Sequence, residues 1–155
     1  MGNRATEDVD VVALQRDGAL VSAEPLPAEV RAAATLVARD FALGERWLNA
    51  GPASLLDEAT GLPDGFQERL HWRTYGPSLA VGYASRLDQV HLKLTALADR
   101  GYPRDRADLI RLEPTPEELR VAAEWVRSHF TPGPLQDQLG EALAEFGVER
   151  GDRSA

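Results

Sequence analysis

The sequence predicts an α+β fold in which a small sheet is flanked by helices and followed by a helical C-terminal half. Apolar alternation in residues 8–14, 70–75 and 79–84 predicts short strands. Apolar residues recur at helical spacing in residues 27–41 and in four segments after residue 85. Because 43% of the 155 residues are hydrophobic, the chain can bury the hydrophobic core of one domain with a short extension.

The N-terminal third is expected to contain a strand, a turn, a return strand and a helix. Residues 8–14 end in an apolar β-branched run typical of a strand, residues 15–18 have turn chemistry, and residues 19–23 form the return strand. A helix begins at Pro27. Its apolar residues recur at helical spacing: Val30, Ala33, Ala34, Val37 and Phe41. Residues 45–69, which glycine and proline interrupt, are predicted to be irregular.

Two strands and a capped helix are predicted next. Residues 70–75 and 79–84 flank Gly76-Pro77-Ser78, which suits a turn. Ser85 occupies the N-cap position of a helix over residues 86–100, and Gly101 stops that helix. The helix is predicted to bury Leu87, Val90, Leu94 and Leu97.

Three further helices complete the helical half. One begins at Pro103 and runs to about residue 112. The next begins at Thr115-Pro116-Glu117-Glu118, where Thr115 caps and Glu118 completes a capping box. The last covers about residues 135–146.

The composition excludes several classes of site. The chain has no cysteine, so it has no disulfide framework, no thiolate zinc site and no cysteine nucleophile. The net charge of −8 disfavours broad DNA binding. No apolar run approaches the roughly 20 residues that span a bilayer, and no secretory signal is present, so we expect a cytoplasmic protein without membrane contact.

Histidine and tryptophan give weaker signals. The histidines lie on three separate predicted elements without metal-ligand spacing: His71, His91 and His129. We expect His91 to pack in the core. The three tryptophans are expected to anchor the core or an interface: Trp47, Trp72 and Trp125.

Asp8 and Asp10 form an Asp-x-Asp pair on the first predicted strand, a spacing that is common by chance. Side chains two residues apart on a strand share a face, with Cα atoms about 7 Å apart. Two carboxylates on one rigid edge can hold magnesium, which activates a hydroxyl and stabilises a leaving phosphate oxygen. The alternative is a solvated strand edge without a ligand.

A basic stripe is predicted on the helix over residues 86–100. Arg86, Lys93 and Arg100 are seven residues apart and therefore lie within about 40° of one another. Lys93 is the single lysine among 17 basic residues and could hold a phosphate as a point charge. Asp105 and Asp108, which share a helix face, could fix Lys93 or supply a further carboxylate. The alternatives are an exposed solvated stripe and an acidic pair that responds to the helix dipole.

Four segments together resemble the prokaryotic minimal nucleotidyltransferases, in particular their AbiEii and MenT-type relatives from abortive-infection and toxin–antitoxin systems. Residues 2–11 resemble the active-site strand Gly-x-Arg-x-Thr-x-Asp-h-Asp-h, where h is apolar, and Trp47-Leu48-Asn49 resembles a recurring segment. Residues 93–100 and 104–109 resemble the signature Lys-Leu-x-Ala…Arg…Arg-Asp-x-x-Asp-Leu. The resemblance implies a partial nucleotidyltransferase domain over residues 1–112 and a helical extension over residues 113–155.

The resemblance also implies an activity and roles for individual residues. The activity is magnesium-dependent transfer of a nucleotidyl group from a nucleoside triphosphate to a hydroxyl on a protein or RNA acceptor. Asp8 and Asp10 would hold magnesium, and Lys93 would contact phosphate. The other residues with an implied role are Arg4 and Thr6 in nucleotide binding and Asp105 and Asp108 in catalysis.

Two departures from the family pattern open an alternative. The family carries a Gly-Ser or Gly-Gly pair before the Asp-x-Asp strand, at a helix N-terminus that holds the triphosphate. Only seven residues precede Asp8, and residues 70–85 contain no acidic residue for a third carboxylate. We therefore expect a fold truncated at the N-terminus that binds nucleoside triphosphates weakly. The alternative function is a non-catalytic interaction protein, such as a toxin–antitoxin partner.

The truncated fold leads to an expectation about assembly. The strand over residues 8–14 would lack its usual neighbour, and an open strand edge recruits other strands. We therefore expect a homodimer that uses or covers this strand. The alternative is that residues 19–23 fold back and cover the edge within one chain.

Overall fold

The structure is a computed structural model, and it describes residues 8–53, 61–101, 103–130 and 133–148. The chain forms two compact units, Met1–Leu62 and Pro63–Ala155. In the described residues, five α-helices accompany short strands, which confirms the predicted α+β class. Among these helices, none is long and apolar enough to cross a membrane.

The first unit contains a short parallel strand pair and a hairpin. Strand β1 (Val9–Asp10) pairs in parallel with β4 (Leu48–Asn49), and β2 (Ala13–Arg16) pairs antiparallel with β3 (Ala19–Ser22). The prediction of one strand over residues 8–14 was therefore wrong. The chain leaves β1 after Asp10 and turns into a hairpin whose tight turn places Asp17 and Gly18 at positive φ.

Helix α1 (Ala28–Phe41) joins this hairpin to β4. The predicted helix is confirmed: Val30, Ala34 and Val37 are half-buried, whereas Ala33 is exposed and Phe41 is 73% exposed. Within residues 8–53, the fully buried core residues are Ala23, Ala50 and Ala53, with Val11, Leu14 and Leu26 packed against them.

The segment predicted to be irregular also contains regular structure in its first part. Residues 45–69 include β4 and a 3₁₀ turn over Gly51–Ala53. Strand β4 is two residues long and has a non-local partner, so local alternation could not reveal it.

The second unit begins with the predicted hairpin. Strand β5 (His71–Tyr75) pairs antiparallel with β6 (Leu79–Tyr83), with Arg73 opposite Val81. Gly76 in the turn has φ +65°, a conformation that glycine adopts without strain. The described residues give this sheet two strands only.

Four helices form the main core of the second unit: α2 (Arg86–Arg100), α3 (Pro103–Arg111), α4 (Pro116–His129) and α5 (Pro134–Glu145). Helix α2 packs against the other three. The largest fully buried apolar side chains of this unit are Leu94, Leu109, Leu119, Leu139, Leu143, Val90 and Val126. Each contributes roughly 1.5–3 kcal/mol by leaving water.

The predicted helix caps are confirmed. The Ser85 hydroxyl accepts a hydrogen bond from the Asp88 backbone N–H at 3.2 Å, and Gly101 ends α2 in a left-handed conformation. At α4, Thr115 and Glu118 form both hydrogen bonds of the capping box. Helices α4 and α5, which belong to the expected extension over residues 113–155, share one core with α2. The functional boundary after residue 112 stays a prediction.

Candidate functional site

Asp10 lies at the carboxyl end of β1, where a neighbouring side chain fixes it. Asn49, its register partner on β4, donates from Nδ2 to Asp10 Oδ1 at 2.9 Å. Asn49 Oδ1 in turn accepts from the Gly51 backbone N–H at 2.8 Å. Asp10 is exposed, whereas Asp8, one residue before the strand, is half-buried. The second carboxylate oxygen of Asp10 has no hydrogen-bond partner within the described part of this unit.

A cavity of about 410 Å³ adjoins the same strand end. Asn49 and Gly51 line it, so the hydrogen-bonded partner of Asp10 is part of the cavity wall. The volume lies within the range of small-molecule sites, about 300–1,000 Å³. Its charged and hydroxyl-bearing lining residues are Arg31, Arg46, Glu24, Glu45 and Thr35.

Trp47 holds the two sides of this cavity together. Its indole Nε1 donates to the Ala34 carbonyl on α1 at 2.9 Å, and its own carbonyl accepts from the Val9 N–H at 2.5 Å. The segment that carries Arg46 is therefore tied both to α1, which carries Arg31, and to β1. Trp47 thus acts as an anchor, as its residue type predicts.

Lys93 lies in the second unit, within a network of carboxylates from α3. Its Nζ is 2.9 Å from Asp108 Oδ2 and 3.6 Å from Asp105 Oδ1. Arg100 Nη2 also contacts Asp105, at 3.4 Å, and Arg111 Nη1 contacts Asp108 at 3.2 Å. Asp105 is buried, whereas the Lys93 side chain is 31% exposed. The two aspartates thus fix Lys93, one of the two roles that their spacing suggested.

Arg86, the first member of the basic stripe, is also paired. Its Nη1 donates to the Leu112 carbonyl at 2.6 Å, and its Nη2 forms an ion pair with Glu118. This pairing lowers the pKa of the Glu118 carboxyl below its ordinary value. Every member of the stripe therefore contacts a group on another element, although the Arg86 and Arg100 side chains are about half exposed.

Sequence reasoning missed a second cluster, around Asp88. The Asp88 carboxylate is fully buried and accepts from Arg69 Nη2 at 2.5 Å and from the Ser85 hydroxyl at 2.5 Å. The hydrogen bonds to Asp88 raise the pKa of the Arg69 guanidinium. Gly65 has φ +72°, and a Cβ there would approach Arg69 Nη1 to 2.6 Å. The Ser-x-x-Asp spacing was a visible cap signal, but nothing local identified Arg69 as the partner.

The histidine expected in the core is buried there. His91 is 4% exposed, and its Nδ1 lies 2.8 Å from the Leu87 carbonyl. Its ring meets the edge of Trp125 at a centroid distance of 5.8 Å. Trp125 also contacts His129 and Phe130, so this cluster is part of the helical core.

The residues predicted to form the site divide between the two units. Asp8 and Asp10 belong to the first, and Lys93, Asp105 and Asp108 belong to the second. Arg4 and Thr6 lie outside the described residues. No family model, curated protein or solved structure matches this chain.

The carboxylates of the first unit bear on the predicted metal site. No group of three or more histidine or carboxylate side chains converges within the parts of the chain that the structure describes. Magnesium, however, is commonly bound by one or two carboxylates together with water and substrate phosphates. Of the two predicted ligands, Asp10 has one oxygen engaged by Asn49, and Asp8 lies one residue before β1.

Proposed function

We propose that the protein is a magnesium-dependent nucleotidyltransferase that transfers a nucleotidyl group from a nucleoside triphosphate to a hydroxyl on a protein or RNA acceptor. The position of Asp10 carries the proposal. Asp10 ends a strand that has a parallel partner, and its hydrogen-bond partner Asn49 lines a cavity of suitable volume. Ligands of open α/β sheets commonly bind beyond the carboxyl ends of parallel strands. The resemblance of residues 2–11 to the nucleotidyltransferase strand supports the same assignment.

Asp8 and Asp10 are the residues that would hold magnesium. Magnesium bound there would neutralise phosphate charge and lower the pKa of the attacking hydroxyl. Asn49 engages Asp10 Oδ1 through its 2.9 Å hydrogen bond. Asp10 Oδ2 is then the oxygen that would contact the metal or the acceptor.

The proposed reaction is a displacement at the α-phosphorus. The acceptor oxygen forms a bond to this phosphorus as the bond between phosphorus and the bridging β-phosphate oxygen breaks. Pyrophosphate leaves, and the hydroxyl proton passes to the Asp8–Asp10 carboxylate pair. No oxidant or further co-reactant is required. Lys93, Asp105 and Asp108 keep the roles that the resemblance implies, as predictions.

Transfer of a radioactive nucleotide tests the proposal. The purified chain is incubated with each of the four nucleoside triphosphates, labelled at the α-phosphate, with magnesium and with bacterial RNA or protein as acceptor. We expect label in an acid-precipitable product, and we expect the Asp8→Asn/Asp10→Asn variant to lose it. The matched control is Asp17→Asn/Asp40→Asn, which makes the same charge change in the same unit. Equal labelling by wild type and the Asp8→Asn/Asp10→Asn variant would exclude this pair from catalysis.

A second candidate function is a non-catalytic interaction protein, and the β5–β6 hairpin favours it. Large side chains on this hairpin are widely exposed: Trp72 47%, Tyr75 40%, Leu79 54% and Tyr83 48%. Exposed apolar groups clustered on one small sheet are typical of contact surfaces. A chain that transfers no label and self-associates through this hairpin would support the second candidate.

A further inference from the structure

We infer that the cavity of the first unit is a phosphate-binding site in which Arg31 and Arg46 contact the phosphate oxygens. The ligand class is a phosphate chain carrying magnesium, such as the triphosphate of a nucleotide. The inference deepens the proposed function and rests on it for the identity of the nucleotide. Phosphate binding itself can be measured without any transfer reaction.

The two arginines are available for a ligand. Both side chains are exposed, and both line the cavity of about 410 Å³. Within residues 8–53, neither guanidinium has a hydrogen bond or an ion pair. This distinguishes them from Arg39 on the same helix, which forms an ion pair with Asp40 at 2.7 Å. A guanidinium group presents a fork of donors that matches phosphate oxygens.

The two arginines belong to different elements that a structural contact links. Arg31 belongs to α1, and Arg46 precedes β4. Trp47 links the two elements through its hydrogen bond to the Ala34 carbonyl at 2.9 Å. The Thr35 hydroxyl, which donates to the Arg31 carbonyl at 3.0 Å, adds an oxygen to the same wall. The backbone segments that carry the two arginines are therefore linked by Trp47.

Carboxylates on the cavity wall explain why magnesium belongs to the ligand. Glu24 and Glu45 also line the cavity, and within the described residues their carboxylates form no ion pair with Arg31 or Arg46. A bare phosphate would be attracted by the arginines and repelled by the glutamates. A phosphate chain that carries magnesium presents anionic oxygens to the arginines and a cation to the carboxylates. The lining thus complements the complex better than it complements either ion alone.

Isothermal titration calorimetry with inorganic phosphate, sodium tripolyphosphate, ATP and GTP, each with and without magnesium, tests the site. We expect tripolyphosphate with magnesium to bind more tightly than inorganic phosphate. Arg31→Gln and Arg46→Gln should each raise its dissociation constant about tenfold, as the loss of a hydrogen bond to a charged group implies. The double variant Arg31→Gln/Arg46→Gln has Arg16→Gln/Arg39→Gln as its matched control, because neither Arg16 nor Arg39 lines the cavity.

Replacing the two glutamates should change the affinity for tripolyphosphate in the opposite direction. Without magnesium, Glu24→Gln/Glu45→Gln should bind tripolyphosphate several-fold more tightly than wild type, because repulsion is removed. With magnesium this advantage should disappear. Amide chemical shifts in an NMR titration should change mainly at Thr35 and at residues 48–51.

Three results would overturn the site. The first is that wild type does not bind tripolyphosphate. The second is that the Arg31→Gln/Arg46→Gln variant and its control lose the same amount of binding affinity. The third is that the amide chemical shifts change only at residues away from the cavity. Binding that depends on the two arginines, without label transfer, would retain the site and refute the proposed reaction. Label transfer that is unchanged in the Arg31→Gln/Arg46→Gln variant would retain the reaction and refute the site.

Discussion

Replacement of Arg69 by methionine should strongly destabilise the second unit. The change removes the guanidinium but keeps a long apolar side chain. In the native structure Asp88 is 0% exposed, and Arg69 donates to it at 3.2 Å from Nε and at 2.5 Å from Nη2. After the substitution, the buried carboxylate retains Ser85 as its side-chain partner.

The magnitude follows from the burial of the two partners. Removing one partner of a buried ion pair costs about 3–5 kcal/mol, because the other charge stays buried without compensation. The Arg69 side chain is 33% exposed, so water can reach part of the space it leaves. We therefore expect a loss at the low end, about 3 kcal/mol in the free energy of unfolding.

Urea unfolding measures this loss, with circular dichroism confirming that each variant folds. Arg120→Met is the matched control, because Arg120 and Glu117 form a pair whose side chains are 55% and 75% exposed. Exposed pairs contribute about 0–1 kcal/mol, so the control should change little. Arg69→Met/Asp88→Leu should recover much of the loss, since both charges are then absent. A loss below about 1 kcal/mol in Arg69→Met would refute the assigned buried pair.

Three further predictions concern the helical core and assembly. Arg86 lowers the pKa of Glu118, so this carboxylate should stabilise the fold above its unfolded pKa of about 4.3 and lose that effect as pH falls through the folded value. Melting temperatures from pH 7 to 3 should therefore fall more for wild type than for Glu118→Gln, and parallel curves would contradict the pair. Lys93→Met should cost roughly 1–2 kcal/mol in urea unfolding, because buried Asp105 loses a cation, and an unchanged midpoint would contradict the network. Light scattering at several concentrations should give twice the 16.9 kDa chain mass and a lower mass for Tyr83→Ser, whereas a wild-type monomer throughout would refute the homodimer.

The helical half was predictable because its signals are local. Ser85 and Thr115 each accept a hydrogen bond from the backbone N–H three residues later, so both helix starts are recognisable in a four-residue segment. Gly101 directly follows the last residue of α2 and ends it. The apolar positions of α2 repeat at 3.6-residue spacing, which predicts that Val90 and Leu94 lie in the core. Both are buried in the structure. Short-range chemistry of this kind needs no knowledge of distant partners.

The strands of the first unit were less predictable because their pairing is non-local. Val9 pairs with Leu48 across 39 positions, and a two-residue strand leaves no periodicity to detect. The pairing of β1 with β4 and of β2 with β3 also removes much of the argument for dimerisation through residues 8–14. The exposed β5–β6 hairpin now offers the better surface for the predicted homodimer.

The candidate site was predictable only in part. The Asp-x-Asp spacing predicted Asp8 and Asp10 on one strand, but the strand in the structure begins at Val9 and includes only Asp10. Arg31 and Arg46 carried no such signal, because their shared cavity depends on the pairing of β4 and on the Trp47 anchor. In the sequence, a charged residue on a helix surface or in a loop has the same local pattern whether or not it lines a cavity.

The direct test of the central claim is magnesium-dependent nucleotide binding through Asp8 and Asp10. Thermal unfolding is followed with magnesium alone and with magnesium and each nucleoside triphosphate, in wild type, Asp8→Asn/Asp10→Asn and the charge-matched Asp17→Asn/Asp40→Asn. With a dissociation constant of about 1 mM, ligand at 10 mM should stabilise the native state by about 1.4 kcal/mol and raise the melting temperature by roughly 3–6 °C. We predict that wild type and Asp17→Asn/Asp40→Asn show this rise and that Asp8→Asn/Asp10→Asn does not. The same rise in all three proteins, or in none, would contradict a nucleotide site built on these two aspartates.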